Sequence, residues 1–188
     1  MKFLSDLRLL LLGLWLGAAV FFIGVAQTAF AVLPQRELAG AVVNRTLSIL
    51  NIGGLVIAVL LLLLSVIAAR NSNKLLLWLD RSLLIIVALA CAIGQFVVGF
   101  WIATVRAQMG GRPIDEIAAD DPLRVQFNQL HNYSEWTLLT AMIAALIAFF
   151  VIANRVRVAP GAAAARSTPS FGETTSDPFD FSKPFKKS

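Results

Sequence analysis

Seven polar residues in or beside the longest apolar stretches, Gln27, Asn44, Arg45, Asn51, Asn128, His131 and Glu135, form a candidate cluster, and most of them fall on two helix faces that Ser48, Arg124 and Ser134 extend. Asn44, Ser48 and Asn51 recur at i, i+4 and i+7, which is one side of a helix, with Arg45 at its edge. Asn128, His131 and Glu135 follow the same logic at i, i+3 and i+7. Arg124 stands one turn earlier, and Phe127 and Ser134 flank the stripe. Gln27 adds an amide near the end of the first apolar stretch. Polar groups in hydrocarbon are costly unless they are paired. Amides, a hydroxyl and one imidazole at such places therefore do one of two things: they hydrogen-bond helices together or they hold a ligand. A Gly-rich phosphate loop, an HExxH helix, and a serine with a histidine at a readable spacing are all missing from the sequence, so no enzyme is expected.

Metal and redox chemistry is narrowly bounded. Cys91 is the only cysteine and His131 the only histidine. An intramolecular disulfide, a cysteine-held cluster and any site needing two histidines of one chain are excluded. His131 is the single candidate metal ligand, and no cofactor is expected. Cys91 lies about nine residues into its span, near the bilayer middle, whereas His131 sits at the outer edge. A formal net charge of +5 is modest, and membrane orientation accounts for the basic residues better than nucleic acid does.

The elements that must position these groups are membrane spans. Of 188 residues 58% are hydrophobic and 14% charged, against about 25% charged in soluble domains. Mean hydropathy is +0.78. Uncharged runs cover Leu9–Leu33, Thr46–Ala69, Ser82–Val105 and Trp136–Ala153. Each approximates the ~20 residues that cross ~30 Å of hydrocarbon. The expected fold is all-α: an integral membrane four-helix bundle over residues 1–156, with a disordered cytoplasmic tail over 157–188. Ala29-Phe30-Ala31 has the form of a cleavage site, but the first run is longer than a ~7–15-residue signal core, so the span is expected to be retained. Pro34 and Asp121-Pro122 mark helix starts, and the helices from Pro34 to Ala69 and from Pro122 to about Arg155 are expected to project beyond the membrane. Prolines at 160, 169, 178 and 184 set the tail apart.

Eleven Lys and Arg residues fall on the side of the termini and five on the other. The positive-inside rule then puts both termini in the cytoplasm of a bacterial inner membrane. Gln27, Asn44, Arg45, Asn51, His131 and Glu135 would lie in or just beyond the outer half, leaving an inner half of nearly pure Leu, Ile, Val and Ala. Arg45 is expected to pair with Glu135 across the second and fourth spans. Gly13, Gly17 and Gly24 form a small-residue pattern on the first span. It suits packing within the bundle or a homo-oligomer.

Trp15-Leu-Gly17, Phe21-Phe22, Phe30 and Leu33-Pro34 resemble the first span of the transmembrane-protein-205-like family. Ala39-Gly40, Asn44-Arg45 and Asn51 resemble its second helix, and Phe127-Asn-Gln-Leu-His131 with Tyr133-Ser134 the start of its last. The resemblance covers roughly residues 7–155 and implies a membrane domain of undefined activity. More distantly it extends to copper resistance protein D, which implies copper or haem handling. Here the first span has no histidine, so His131 would supply one axial ligand at most. The expected function is a multi-pass membrane protein whose polar cluster binds a small ligand or partner. The alternatives are haem or copper handling through His131, and a small-solute transporter working as an oligomer. The lipid bilayer is its expected surrounding.

Overall fold

The uncharged runs become helices longer than the runs themselves, because each helix continues through the charged residues that flank it. The computed structural model describes residues 2–67, 74–110 and 112–164. Helix α1 covers Lys2–Val32 and α2 covers Arg36–Ile67. The third span joins α3 (Lys74–Ala92), a π-helical turn (Ile93–Val98) and α4 (Gly99–Gln108). Helix α5 covers Pro122–Ala164. Four helices are thus long and apolar enough to cross a membrane, and the chain is a multi-pass, all-α membrane protein. At 1.5 Å per residue, α2 is about 48 Å long and overshoots the hydrocarbon.

Short connections force neighbouring spans to alternate in direction. The first packs on the second, the second on the third, the third on the fourth, and α1 closes the ring against α5. The core is built from Leu12, Trp15 and Ala19 of α1, Leu61 of α2, Leu84 of α3 and a run of alanines on α5. Ala141, Ala144, Ala145 and Ala148 let backbones approach closely, which is the main source of helix association in lipid. The outside is apolar as well, with Leu14, Phe21, Leu63 and Phe150 more than half exposed, as a lipid-facing surface requires.

The glycine pattern of α1 divides. Gly13 packs toward Phe149, whereas an added Cβ at Gly17 or Gly24 would meet nothing within 4 Å. Two of the three glycines expected to pack the helix therefore face outward. The tight contact lies elsewhere. A Cβ at Gly54 would come within 2.5 Å of Trp15 Nε1 and 2.8 Å of Cys91 Sγ. Only glycine lets three spans meet there, and the Trp15 indole donates to the Leu50 carbonyl beside it at 3.1 Å.

Asp121 caps α5 as its sequence predicts, its Oδ1 accepting the Leu123 N–H at 2.8 Å. That helix does not stop near Arg155. It runs through Pro160 to Ala164, in a stretch whose alanines favour helix strongly enough to tolerate one missing backbone hydrogen bond. The rest of the tail, 165–188, lies outside the described residues.

The half near the termini is not purely apolar. Arg8 and Asp80 form an ion pair at 2.7 Å, with side chains 5% and 0% exposed. Ser65 donates to the same Asp80 oxygen at 3.4 Å, and Arg81 reaches the Ser65 carbonyl at 3.3 Å. Both distances are long, so the ion pair is the strong contact. Arg8 Nε has no hydrogen-bond partner among the described residues. This cluster joins α1, α2 and α3. It is the polar exception in an inner half expected to be nearly pure Leu, Ile, Val and Ala.

Candidate functional site

Three cavities meet in the half of the bundle nearest the 109–121 loop. The mouth, about 400 Å³, lies under that loop and includes Arg36, Glu37, Asn44, Arg106, Arg124 and Asn128 in its lining. A second lobe, about 350 Å³, descends between α2 and the third span past Asn44, Ser48, Asn51 and Gln95. A third, about 370 Å³, lies among α1, α2 and α5 and is walled by Phe22, Ala26, Gln27, Phe30 and Leu138. Leu47 and Ser134 line all three, so the lobes converge on one point.

Depth follows from helix length. With the Arg8–Asp80 pair at one boundary, ~20 residues of helix reach Thr28 on α1 and Phe100 on the third span. Exposed Trp101, Tyr133 and Trp136 lie at that level and exposed Trp78 near the opposite one, as aromatic belts do. The inner edge of the mouth, at Ile102 and Ser134, is level with these aromatics, and Arg124 stands ten residues further out on α5. Asn51, seven residues below Asn44, lies about 10 Å deeper.

Two glycines shape the walls. A Cβ at Gly40 would press on Arg106 Nη2 at 3.3 Å, so glycine leaves room for that guanidinium to reach Glu37 at 3.1 Å. At Gly94 a Cβ would crowd Asn51 Nδ2 and Thr137 Oγ1, each at 3.2 Å. Gly94 opens the π-helical turn, and its carbonyl accepts the Gly99 N–H five residues on. Such turns occur mostly as single insertions, often at functional sites. Here the turn forms the wall of the deep lobe.

The charged rim is largely self-paired. Arg36 meets Asp115 at 3.1 Å, and Glu37 also accepts the Ile114 N–H at 3.3 Å. The loop is further held by Val105, Met109 and Ile117, which pack with Phe127. Arg106 lies over the Phe127 ring at 5.6 Å, and the Phe127 ring is parallel to that of His131 at 6.4 Å. Arg124 donates to the Ile117 carbonyl.

The floor is different. Asn51 is 5% exposed and Ser134 is 7% exposed. Neither side chain makes a hydrogen bond among the described residues. Asn51 borders the deep lobe and Ser134 all three, so the cavity is where partners for both side chains can be supplied.

Of the seven polar residues singled out by spacing, Gln27, Asn44, Asn51, Asn128, His131 and Glu135 line these cavities. Arg45 does not. It is exposed and makes no ion pair among the described residues. Glu135 instead meets His131 Nε2 one turn away on the same helix at 3.4 Å, replacing the expected cross-helix pair. At the head-group level an exposed Arg45 reaches water along its own stem, so it needs no carboxylate. Spacing missed Arg36, Glu37, Arg106 and Asp115, which lie beyond the uncharged runs and join the site through the fold of the loop. It also missed the π-helical turn, whose one signal is the Gly94-to-Gly99 interval around Gln95. Among the described residues no group of three or more His, Cys, Asp or Glu side chains is arranged to hold a metal ion.

Residues 10–111 match a family described as a domain of unknown function, DUF4149. The match covers the first three spans and ends before α5. No curated protein and no solved structure matches the chain.

Proposed function

The chain belongs to the DUF4149 family, and from its site we propose that it is a membrane-embedded binding protein that takes a small hydrogen-bonding molecule into the three-lobed vestibule. The observation that carries this reading is the pair of largely buried side chains without a protein partner among the described residues, Asn51 on the deep lobe and Ser134 where the three lobes meet. An apolar ligand would leave both unsatisfied at about 1–3 kcal/mol each, so the occupant carries donors or acceptors of its own.

The eleven-to-five excess of basic residues on the side of the termini supports a cytoplasmic placement for them. The vestibule then opens to the outer face of the bacterial inner membrane. Binding rather than catalysis is favoured because Ser134 has no hydrogen bond to His131, and His131 is engaged with Glu135. The Trp15–Gly17, Asn44-Arg45 and Phe127–His131 segments resemble transmembrane-protein-205-like proteins, and that resemblance supports a membrane-embedded role. The remoter likeness to copper resistance protein D brings no ligand set, since His131 is the single histidine.

The test is to purify the full chain in detergent, extract it with organic solvent and quantify small molecules per chain by mass spectrometry. Wild type is compared with Asn51→Leu/Ser134→Ala and with Arg45→Gln, which lies outside the cavities. The expected result is one species near stoichiometry in wild type and Arg45→Gln, reduced at least about tenfold in the double variant, as loss of two hydrogen bonds implies. If no species tracks Asn51 and Ser134, the binding reading is wrong.

A further inference from the structure

Resting on the reading of the vestibule as a binding site, we propose that its ligand is a membrane-borne amphiphile with a phosphate-bearing head, the phosphate beside Arg124 and the apolar chain in the lobe among α1, α2 and α5. Three features of the site carry this.

The first is charge. Three guanidiniums line the mouth, those of Arg36, Arg106 and Arg124, against two carboxylates, Glu37 and Asp115. Arg36 is held by Asp115 and Arg106 by Glu37. Arg124 has no carboxylate partner among the described residues. Its Nη1 donates to a backbone carbonyl, which leaves four of the five guanidinium N–H groups for a ligand. Asp121, three residues before Arg124, accepts the Leu123 N–H as the cap of α5. An anion at Arg124 completes the pairing of the mouth, and phosphate oxygens match the guanidinium fork.

The second is the lobe beside α1. Phe22, Ala26, Phe30, Val43, Leu47 and Leu138 make its wall, and exposed Gln27, Phe30 and Glu135 stand at its rim. It shares Phe30, Val43, Leu47, His131 and Ser134 with the mouth, so the two are continuous. A soluble anion would occupy the mouth and leave this apolar lobe to water. An amphiphile fills both.

The third is depth. The inner edge of the mouth, at Ser134, lies at the level of the exposed Tyr133 and Trp136. Arg124 and Ser134 are ten residues apart on α5, about 15 Å along its axis. That interval suits a head whose phosphate is at the rim and whose ester or hydroxyl oxygens reach inward toward Ser134 and Asn51.

The experiment titrates the full chain in maltoside micelles with three probes and counts bound molecules by native mass spectrometry. The probes are phosphatidylglycerol, diacylglycerol with the same chains, and inorganic phosphate. Phosphatidylglycerol is expected to be retained at least about tenfold better than diacylglycerol, the worth of a charge-assisted hydrogen bond. Arg124→Gln should remove that preference and Arg124→Lys should keep part of it, with thermal stability of each variant recorded to show that it folds. Equal retention of the two lipids, or a preference unchanged in Arg124→Gln, overturns the phosphate assignment and leaves the vestibule standing. Displacement of phosphatidylglycerol by inorganic phosphate at comparable concentration overturns the amphiphile half and makes the ligand a soluble anion. Retention of either lipid unaffected by Asn51→Leu/Ser134→Ala would instead take down the binding reading on which the proposal rests.

Discussion

Arg8→Met and Asp80→Leu test the buried ion pair, and the informative measurement is the cycle rather than either variant alone. The pair is 2.7 Å long with side chains 5% and 0% exposed, so neither charge has water to fall back on. Removing one partner from such a pair costs about 3–5 kcal/mol, because the other charge stays buried. Against a total stability of about 5–15 kcal/mol, that is a large fraction. With about 2–4 °C per kcal/mol for a chain of this size, each single variant should melt about 6–20 °C lower. The double variant Arg8→Met/Asp80→Leu removes both charges and fills the space with side chains of similar bulk. Its expected melting point is within a few degrees of wild type, or above it, since hydrophobic replacement of a buried pair is often neutral or stabilising. The assay is thermal unfolding in detergent, followed by fluorescence-detected size exclusion. Added salt should not change the single-variant losses, because a buried pair is poorly screened. Single variants that melt with wild type would refute the pair as the contact joining α1 to α3. So would a double variant whose loss equals the sum of the two singles.

The remaining predictions concern packing and the rim. Gly54→Ala should destabilise by about 1–3 kcal/mol, because its Cβ would press on Trp15 and Cys91, while Gly17→Ala should be neutral in the same melting assay. The exchange Arg45→Glu with Glu135→Arg should give no rescue over the single changes, since the two residues do not meet; a non-additive recovery in a double-mutant cycle would refute this. Gly110 has φ of 66°, so Gly110→Ala should cost about 1 kcal/mol in melting measurements through strain where α4 ends, with no change in oligomeric state.

The sequence makes the spans and the polar faces legible because both follow from period alone. Asn44, Ser48 and Asn51 share a face at any helix phase, and so do Asn128, His131 and Glu135, whatever surrounds them. Partners are another matter. Glu135 can reach along its own helix to His131 or across to α2, and only the packed bundle decides. The ion pair was hidden for a different reason. Uncharged runs end at the first charge, so Arg8 and Asp80 read as flanks of spans that begin at Leu9 and Ser82. In the fold α3 begins at Lys74, which carries Asp80 almost two turns inward, and the two charges neutralise each other inside the bundle. The mouth was hidden because Arg36, Glu37, Arg106 and Asp115 come from three separated segments that meet only when the loop folds back.

The two polar clusters of the bundle serve as controls for each other. Near the termini, polar groups within the helices meet other protein groups: Arg8 meets Asp80, and Ser65 lies between Asp80 and Arg81. Near the loop, Asn51 and Ser134 are largely buried, line the cavity and have no such partners among the described residues. The terminal cluster is held by an ion pair although Arg8 Nε has no hydrogen-bond partner among the described residues, whereas the floor of the vestibule has no such pair. Between the clusters, Asn51 and Ser65 are fourteen residues apart on α2, about 21 Å. That interval is filled by Trp15, Leu12, Leu61, Leu84 and Cys91. No polar route crosses it among the described residues. A molecule entering from the loop side is held above this apolar layer. That argues for retention of a ligand over its passage, and it makes occupancy per chain, not flux, the quantity that decides what this protein does.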